Sequence, residues 1–102
     1  MEFKYIIASD SMEPLIPVGS EILIEPVKAE EIKRFDILLF EESSKLMCHY
    51  VWHVNKTFNK GEITTRNLSF GEKDLPFSFD KVKGRVVNFK LGFFTKCKIL
   101  FG

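Results

Sequence analysis

The sequence predicts a small all-β domain, built as a coiled antiparallel sheet or a partly open β-barrel. Its strand candidates are short runs rich in β-branched and aromatic residues. Residues that favour turns separate these runs, and no segment shows a helical period longer than a single turn. The chain has 102 residues, of which 45% are hydrophobic. That length and composition suit one core, so residues 1–102 are predicted to form a single domain.

Six runs predict strands, at residues 3–8, 21–25, 36–40, 46–54, 62–66 and 82–89. Residues 28–34 have room for one helical turn, and no longer helix is predicted. The apolar run from Leu91 to Gly102 is expected to be a last strand that closes the core. Because phenylalanine and lysine also suit a lipid–water interface, peripheral membrane contact through this run is an open alternative.

Charge and hydropathy exclude several classes of function. The net charge is +1, which gives no electrostatic basis for nucleic acid as a partner. No stretch reaches the roughly 20 apolar residues of a membrane span, and the N-terminus lacks the pattern of a signal peptide. The expected location is therefore cytoplasmic, or peripheral at a membrane face. Cys48 and Cys97 lack metal-binding spacing, so we expect no metal and no cofactor. Without a secretory signal, two reduced thiols are expected, and a disulfide between them is the less favoured alternative.

Two serines near the N-terminus form the first candidate site. Ser11 follows a short apolar run and precedes Pro14, where the chain must leave regular structure. On an extended backbone, the hydroxyl of Ser9 points to the same side as that of Ser11. One serine could attack a carbonyl while the other donates a hydrogen bond to the developing oxyanion. Serines beside a proline are also ordinary turn residues, so this pattern alone leaves both interpretations open.

Both histidines of the chain lie in one predicted strand, at residues 46–54. Strict alternation places His49 and His53 on one face, roughly 13 Å apart, which is too far to serve one serine or one metal ion without a bulge. Imidazole titrates near neutrality and can accept a serine proton without the desolvation that a neutral lysine requires. The other candidate bases are Lys33, Lys45 and Lys56.

Four motifs follow one another along residues 8–87. They read Ser-Asp-Ser-Met-Glu-Pro at 9–14, Phe-Asp-Ile-Leu-Leu-Phe at 35–40, His-Tyr-Val at 49–51 and Asp-Lys-Val-Lys-Gly-Arg-Val at 80–86. In type and order they resemble the boxes of type I signal peptidases and their LexA-like relatives, whose first box is typically Ser-Gly-Ser-Met-x-Pro. The chain departs from that pattern at Asp10, Ser20 and Phe35, which replace a glycine, an aspartate and a glycine.

This resemblance implies a catalytic domain of the signal peptidase–LexA type, acting as a serine endopeptidase that cleaves a peptide or protein precursor after small residues. Ser11 takes the position of the nucleophile. His49 takes the position of the general base, as in the histidine-type signal peptidases of the endoplasmic reticulum. The Ser11 backbone N–H and the Ser9 hydroxyl would hold the oxyanion. The family also implies a substrate bound as an extended strand, for which the candidate contacts are Met12, Pro14 and Leu15.

A histidine base needs an acceptor that fixes its tautomer. In the histidine-type relatives, an aspartate follows a Thr-Lys-Gly-Asp-Asn-Asn segment. Residues 64–67 of this chain, Thr-Thr-Arg-Asn, resemble the start of that segment, and Asp74 lies where the acceptor would be. Asp74 could equally be a turn residue that caps the loop before Pro76. Asp36 and Asp80 are rival acceptors.

Two other functions stay open. A signal-peptidase-like fold without activity would bind a peptide or protein partner, and the altered residues before Asp74 motivate that alternative. A regulator that cuts its own linker, like LexA, is less favoured, because ten residues precede Ser11. The oligomeric state and the natural substrate are not predicted.

Overall fold

A computed structural model describes residues 3–57, 60–69 and 71–101. Within these ranges the chain forms seven strands: β1 (Phe3–Ile6), β2 (Glu21–Glu25), β3 (Ile37–Glu42), β4 (Lys45–Thr57), β5 (Lys60–Arg66), β6 (Phe77–Ser78) and β7 (Val82–Val86). Short 3-10 turns occupy Ala29–Glu31 and Phe79–Lys81, and a single helix, α1, spans Phe93–Phe101. The structure is thus mostly β, as predicted, with a C-terminal helix added.

The strands form one sheet in the order β1-β2-β7-β3-β4-β5-β6. Neighbouring strands run antiparallel throughout. β1 and β6 lie at opposite ends of this order, so the sheet described here is open rather than closed into a barrel.

The sheet is covered by side chains on both faces. Four consecutive residues of β3, 37–40, are all buried. Ile37 and Leu39 pack in the larger apolar cluster, which includes Tyr50. The two residues that alternate with them pack in a smaller cluster with Val51. A continuous apolar run in the sequence is therefore a strand buried on both faces.

A β-bulge interrupts the predicted alternation along β4. Consecutive residues of β5 lie opposite residues 51 and 53 of β4, so Trp52 has no partner in this ladder. Val54 consequently packs in the same cluster as Val51. Because neighbours on a strand point to opposite faces, His53 points away from the face of His49. The prediction that the two histidines share a face is wrong; His49 is buried and His53 is exposed.

The prediction of a last strand at the C-terminus is also wrong, since Phe93–Phe101 form α1. The Lys96 N–H donates to the Gly92 carbonyl, 3.0 Å away, at the first turn of the helix. Short apolar runs do not distinguish strand from helix by their period, which explains the error. Ile99 packs on the larger cluster. Among the described residues, no helix has the length and apolar character needed to cross a membrane.

β7 ends at Val86, three residues before the predicted boundary. Beyond this point, the Asn88 side chain makes hydrogen bonds to the backbone of β2. Its Oδ1 accepts from the Leu23 N–H at 2.9 Å, and its Nδ2 donates to the Glu21 carbonyl at 3.0 Å. A side chain that satisfies the neighbouring backbone in this way ends the regular ladder.

Candidate active site

A histidine and an aspartate that are 25 residues apart in sequence meet beside the smaller cluster. His49 lies on β4 opposite Leu38 of β3 and is 3% exposed. Asp74 follows β5, and its N–H donates to the Thr65 carbonyl at 2.8 Å. His49 Nδ1 lies 2.5 Å from Asp74 Oδ2. The structure thus brings the predicted base and its predicted acceptor into direct contact.

Thr65 is the third member of this group. It is fully buried, and its Oγ1 donates to Asp74 Oδ2 at 2.6 Å. No role was predicted for Thr65, and the one signal for it in the sequence is its place in the Thr-Thr-Arg-Asn segment. A hydroxyl and an imidazole on one carboxylate oxygen fix the position of that carboxylate.

The charge on Asp74 is stabilised within this group. Burial alone would raise the pKa of the Asp74 carboxyl. Hydrogen bonds from His49 and Thr65, and the positive charge of His49 when it is protonated, outweigh that effect and lower the pKa below its usual value. Asp74 is therefore ionised at neutral pH and accepts a hydrogen bond from Nδ1–H rather than donating one.

The other imidazole nitrogen, His49 Nε2, is buried and has no hydrogen-bond partner among the described residues. In the neutral form of the imidazole, Nδ1 carries the proton because it faces a carboxylate, and the lone pair is then on Nε2. The Phe40 ring packs edge-on against the imidazole, with centroids 5.9 Å apart. A buried nitrogen with an unused lone pair is suited to accept a proton from a group brought to it.

The predicted nucleophile lies in a turn that is anchored by the loop before Asp74. The Ser11 carbonyl accepts from the Leu68 and Ser69 N–H groups, at 2.8 and 3.0 Å. Ser69 Oγ donates to the carbonyls of Asp10 and Glu13. These hydrogen bonds hold the backbone of the turn and do not involve the Ser11 hydroxyl.

The two predicted oxyanion donors contact each other. The Ser11 N–H donates to Ser9 Oγ at 3.2 Å. This long hydrogen bond would have to break before a substrate oxygen could accept hydrogen bonds from both the Ser11 N–H and the Ser9 hydroxyl.

Ser9 and Ser11 line a cavity of about 260 Å³. Its walls are mainly apolar and come from β1 and the turn after it, and from β3 and β4: Tyr5, Ile6, Ile7, Ala8, Met12, Leu39, Leu46, Met47 and Cys48. His49 directly follows three of these residues on β4 but does not itself line the cavity. Since Nε2 has no partner in the part of the chain that the structure describes, the Ser11 hydroxyl and the imidazole are not hydrogen-bonded in this conformation.

The predicted substrate contacts at residues 12–15 form turns rather than an extended edge. The Ile16 N–H donates to the Met12 carbonyl at 2.9 Å, and Met12 is 1% exposed. Met12 therefore forms part of the cavity wall and the core. Pro14 is exposed and Leu15 half-buried. The expectation that this segment offers an extended edge is wrong, and its contact with substrate stays a prediction.

The rival residues lie in other surroundings. Asp36 accepts from the Lys33 N–H and faces the Arg85 guanidinium, and Asp80 accepts from the Ser78 hydroxyl. Lys33 and Lys45 are exposed. The side chain of residue 56 lies outside what the structure describes.

The thiol beside the serines is protonated at neutral pH. Cys48 lines the cavity, and burial raises the pKa of its thiol to about 12. A thiolate nucleophile at this position is therefore disfavoured. Across the described ranges, no group of three or more His, Cys, Asp or Glu side chains is placed to hold a metal ion.

Neither protein-family models nor curated proteins give a match to this chain. The functional assignment consequently depends on the motifs and on the geometry of the site.

Proposed function

We propose that this protein is a serine endopeptidase of the signal peptidase type, in which His49 activates Ser11 and Asp74 orients His49. The observation that carries the proposal is the His49–Asp74 pair together with a buried, unpartnered Nε2. Buried polar atoms in folded proteins almost always have a hydrogen-bond partner, so an exception at this atom calls for a function. Acceptance of a serine proton is the function that its tautomer favours.

In the proposed reaction, Ser11 Oγ attacks the carbonyl carbon of a peptide bond and its proton passes to His49 Nε2. The Asp74 carboxylate stabilises the resulting imidazolium through Nδ1. The tetrahedral intermediate then breaks its C–N bond, and Nε2 protonates the leaving amine. Water, deprotonated by His49, hydrolyses the ester on Ser11 and regenerates both residues.

The reaction requires a hydrogen bond from Ser11 to His49 that this conformation lacks. Such bonds are often long or absent until a substrate is in place. The loop bonds to the Ser11 carbonyl hold the backbone of the turn and do not use the Ser11 side chain.

The proposed substrate is a polypeptide bound at the free edge of β1. β1 lies at the end of the sheet order and leads directly into Ser9, and Ile6 and Ile7 line the cavity beside Ser11. A peptide added to this edge would run toward Ser11 and place a side chain in the apolar cavity. The preference for small residues before the cut is what the resemblance implies.

The test is cleavage of a mixed peptide library by the purified protein, read by mass spectrometry. We expect cuts that disappear in Ser11→Ala and His49→Gln and persist in His53→Gln, which alters the exposed histidine of the same strand. Asp74→Asn should lower the rate, whereas Asp80→Asn should not. Cleavage that survives Ser11→Ala or His49→Gln would contradict the proposed roles.

A peptide-binding module without activity is the second candidate. It is favoured by the hydrogen bond between Ser9 and Ser11 and by the missing bond between Ser11 and His49. Library peptides retained by the folded protein without any cleavage would support this alternative. Retention that disappears on blocking the cavity, for example in Ala8→Trp, would place the binding at the same site.

A further inference from the structure

The single tryptophan of the chain lies between two arginines at the β4 bulge. The Arg34 guanidinium lies 4.1 Å from the centroid of the Trp52 ring, and that of Arg66 lies 4.6 Å from it. Arg34 Nε also donates to the Trp52 carbonyl at 2.7 Å. The bulge removes Trp52 from the β4–β5 ladder, so these contacts replace the pairing that it lacks.

Arg66 extends from this stack into the loop that ends at Asp74. Its Nε and Nη2 both donate to the Gly71 carbonyl, at 3.2 and 3.0 Å. The backbone of Arg66 forms an isolated β-bridge with Lys73, which closes the loop at its base. Gly71 has a φ of +68°, and a Cβ at this position would lie 3.3 Å from Arg66 Nη2. The loop therefore depends on a glycine beside the guanidinium.

The same loop contacts both halves of the candidate site. The N–H groups of Leu68 and Ser69 bind the Ser11 carbonyl, and the residue after the bridge is Asp74, which contacts His49. A change in the loop would thus move the nucleophile turn and the orienting carboxylate relative to each other.

We propose that Arg66 and Trp52 are positioning residues of the candidate site, holding this loop so that Ser11 and Asp74 keep their placement around His49. Only the expected effect on peptide cleavage rests on the proposed peptidase function. Arg66 suits the role because its planar fork makes two bonds to one carbonyl while its face stacks on an aromatic ring. A lysine would keep the positive charge but could not make two parallel hydrogen bonds to one carbonyl.

The test compares Arg66→Leu and Arg66→Lys with Lys73→Met. Lys73 is the matched control, because its Nζ lies 5.7 Å from the same ring and its side chain is exposed. The first readout is the far-downfield proton resonance of His49 Nδ1–H against Asp74. We expect it to weaken or move upfield in Arg66→Leu, to be intermediate in Arg66→Lys, and to be unchanged in Lys73→Met.

The second readout is peptide cleavage. A misplacement of about 1 Å is expected to cost about 10²-fold in kcat with a smaller change in KM. Arg66→Leu should show this loss and Lys73→Met should not. The fluorescence of Trp52, the sole tryptophan, reports whether the ring environment changes in each variant.

An unchanged Nδ1 resonance in a folded Arg66→Leu protein would overturn the proposal. If Arg66→Leu does not fold, Arg66→Lys decides, since it keeps the stem and the charge; a resonance identical to the parent would then overturn it. If the parent protein cleaves nothing, the peptidase function fails while the resonance still tests the positioning role.

Discussion

The ionised carboxylate of Asp74 makes the stability of the folded protein depend on pH in the acid range. Its pKa is lower in the folded protein than in the unfolded chain, so the unfolded chain binds more protons as the pH falls. The stabilisation from the ionised carboxylate is therefore present above the ordinary carboxyl pKa of about 4 and is lost as the pH falls through the lower folded-state value. Between about pH 5 and pH 3, the free energy of unfolding should fall more steeply for the parent than for Asp74→Asn, as measured by urea denaturation. Parallel curves would show that Asp74 is not stabilised as described.

The two thiols should differ in reactivity. Burial raises the pKa of the Cys48 thiol to about 12, so little thiolate forms at neutral pH. We expect iodoacetamide at pH 8 to leave Cys48 unmodified in the native protein and to alkylate it after unfolding, with the modified peptide identified by mass spectrometry. Cys97, half-buried on α1, provides the internal comparison in the same sample. Rapid native labelling of Cys48 would contradict its burial.

At the scale of single residues, the sequence predicts the pair in contact at the candidate site but not the residues that position this pair. The motifs identify His49 and Asp74, which the structure places in contact. Thr65 and Trp52 were missed, because a buried hydroxyl and a bulged ring depend on cross-strand register that one sequence does not reveal.

At the scale of strands, one glycine sets the approach of β7 to β2. A Cβ on Gly84 would lie 2.3 Å from Ile24 Cγ2 and 2.6 Å from the Glu25 carbonyl oxygen. Backbone must shift to relieve such a contact, so Gly84→Ala should lower the free energy of unfolding by about 1–3 kcal/mol. Gly61→Ala is the control, since its Cβ meets nothing within 4 Å on another strand of the same sheet. Urea denaturation that finds the two variants equally stable would contradict this account.

Phe35 departs from the second motif at a position where the backbone is left-handed. The signal peptidase box that residues 35–40 resemble has a glycine there, and Phe35 adopts a φ of +76°, which is strained for a residue with a side chain. Its ring packs near Tyr50, with centroids 6.4 Å apart, and beneath the Lys96 ammonium. These contacts hold the ring of a residue whose backbone is strained.

For the whole molecule, the pattern of apolar and turn residues predicts the strands of the sheet well and the C-terminal segment poorly. Five of the six predicted strands lie close to observed ones because their runs are bounded by turn residues, and the sixth, β7, is cut short by the Asn88 side chain. The strand order, with β7 between β2 and β3, is not readable from local patterns. The prediction for the C-terminal run was wrong because a run this short has no period that distinguishes a strand from a helix.

The helix α1 turns apolar side chains away from the core. Phe94 and Phe101 are two helical turns apart on one side, and each is 86% exposed; Phe93 beside them is 73% exposed. No acidic residue follows Asp80 in the sequence, whereas Lys90 shortly before the helix and Lys98 on it are both exposed. An apolar face bordered by cations has the chemistry of a helix that lies on an anionic membrane surface.

We therefore expect the protein to co-sediment with vesicles that contain phosphatidylserine, and to do so less with phosphatidylcholine alone. Phe93→Ser combined with Phe94→Ser should abolish this binding, while Leu75→Ser, which removes an equally exposed apolar side chain on another segment, should not. Lys90→Gln with Lys98→Gln should weaken binding by about 1 kcal/mol per lysine and reduce its salt dependence. If the phenylalanine variant instead changes the mass measured by sedimentation without vesicles, a second copy of the chain covers the face and the membrane prediction is wrong.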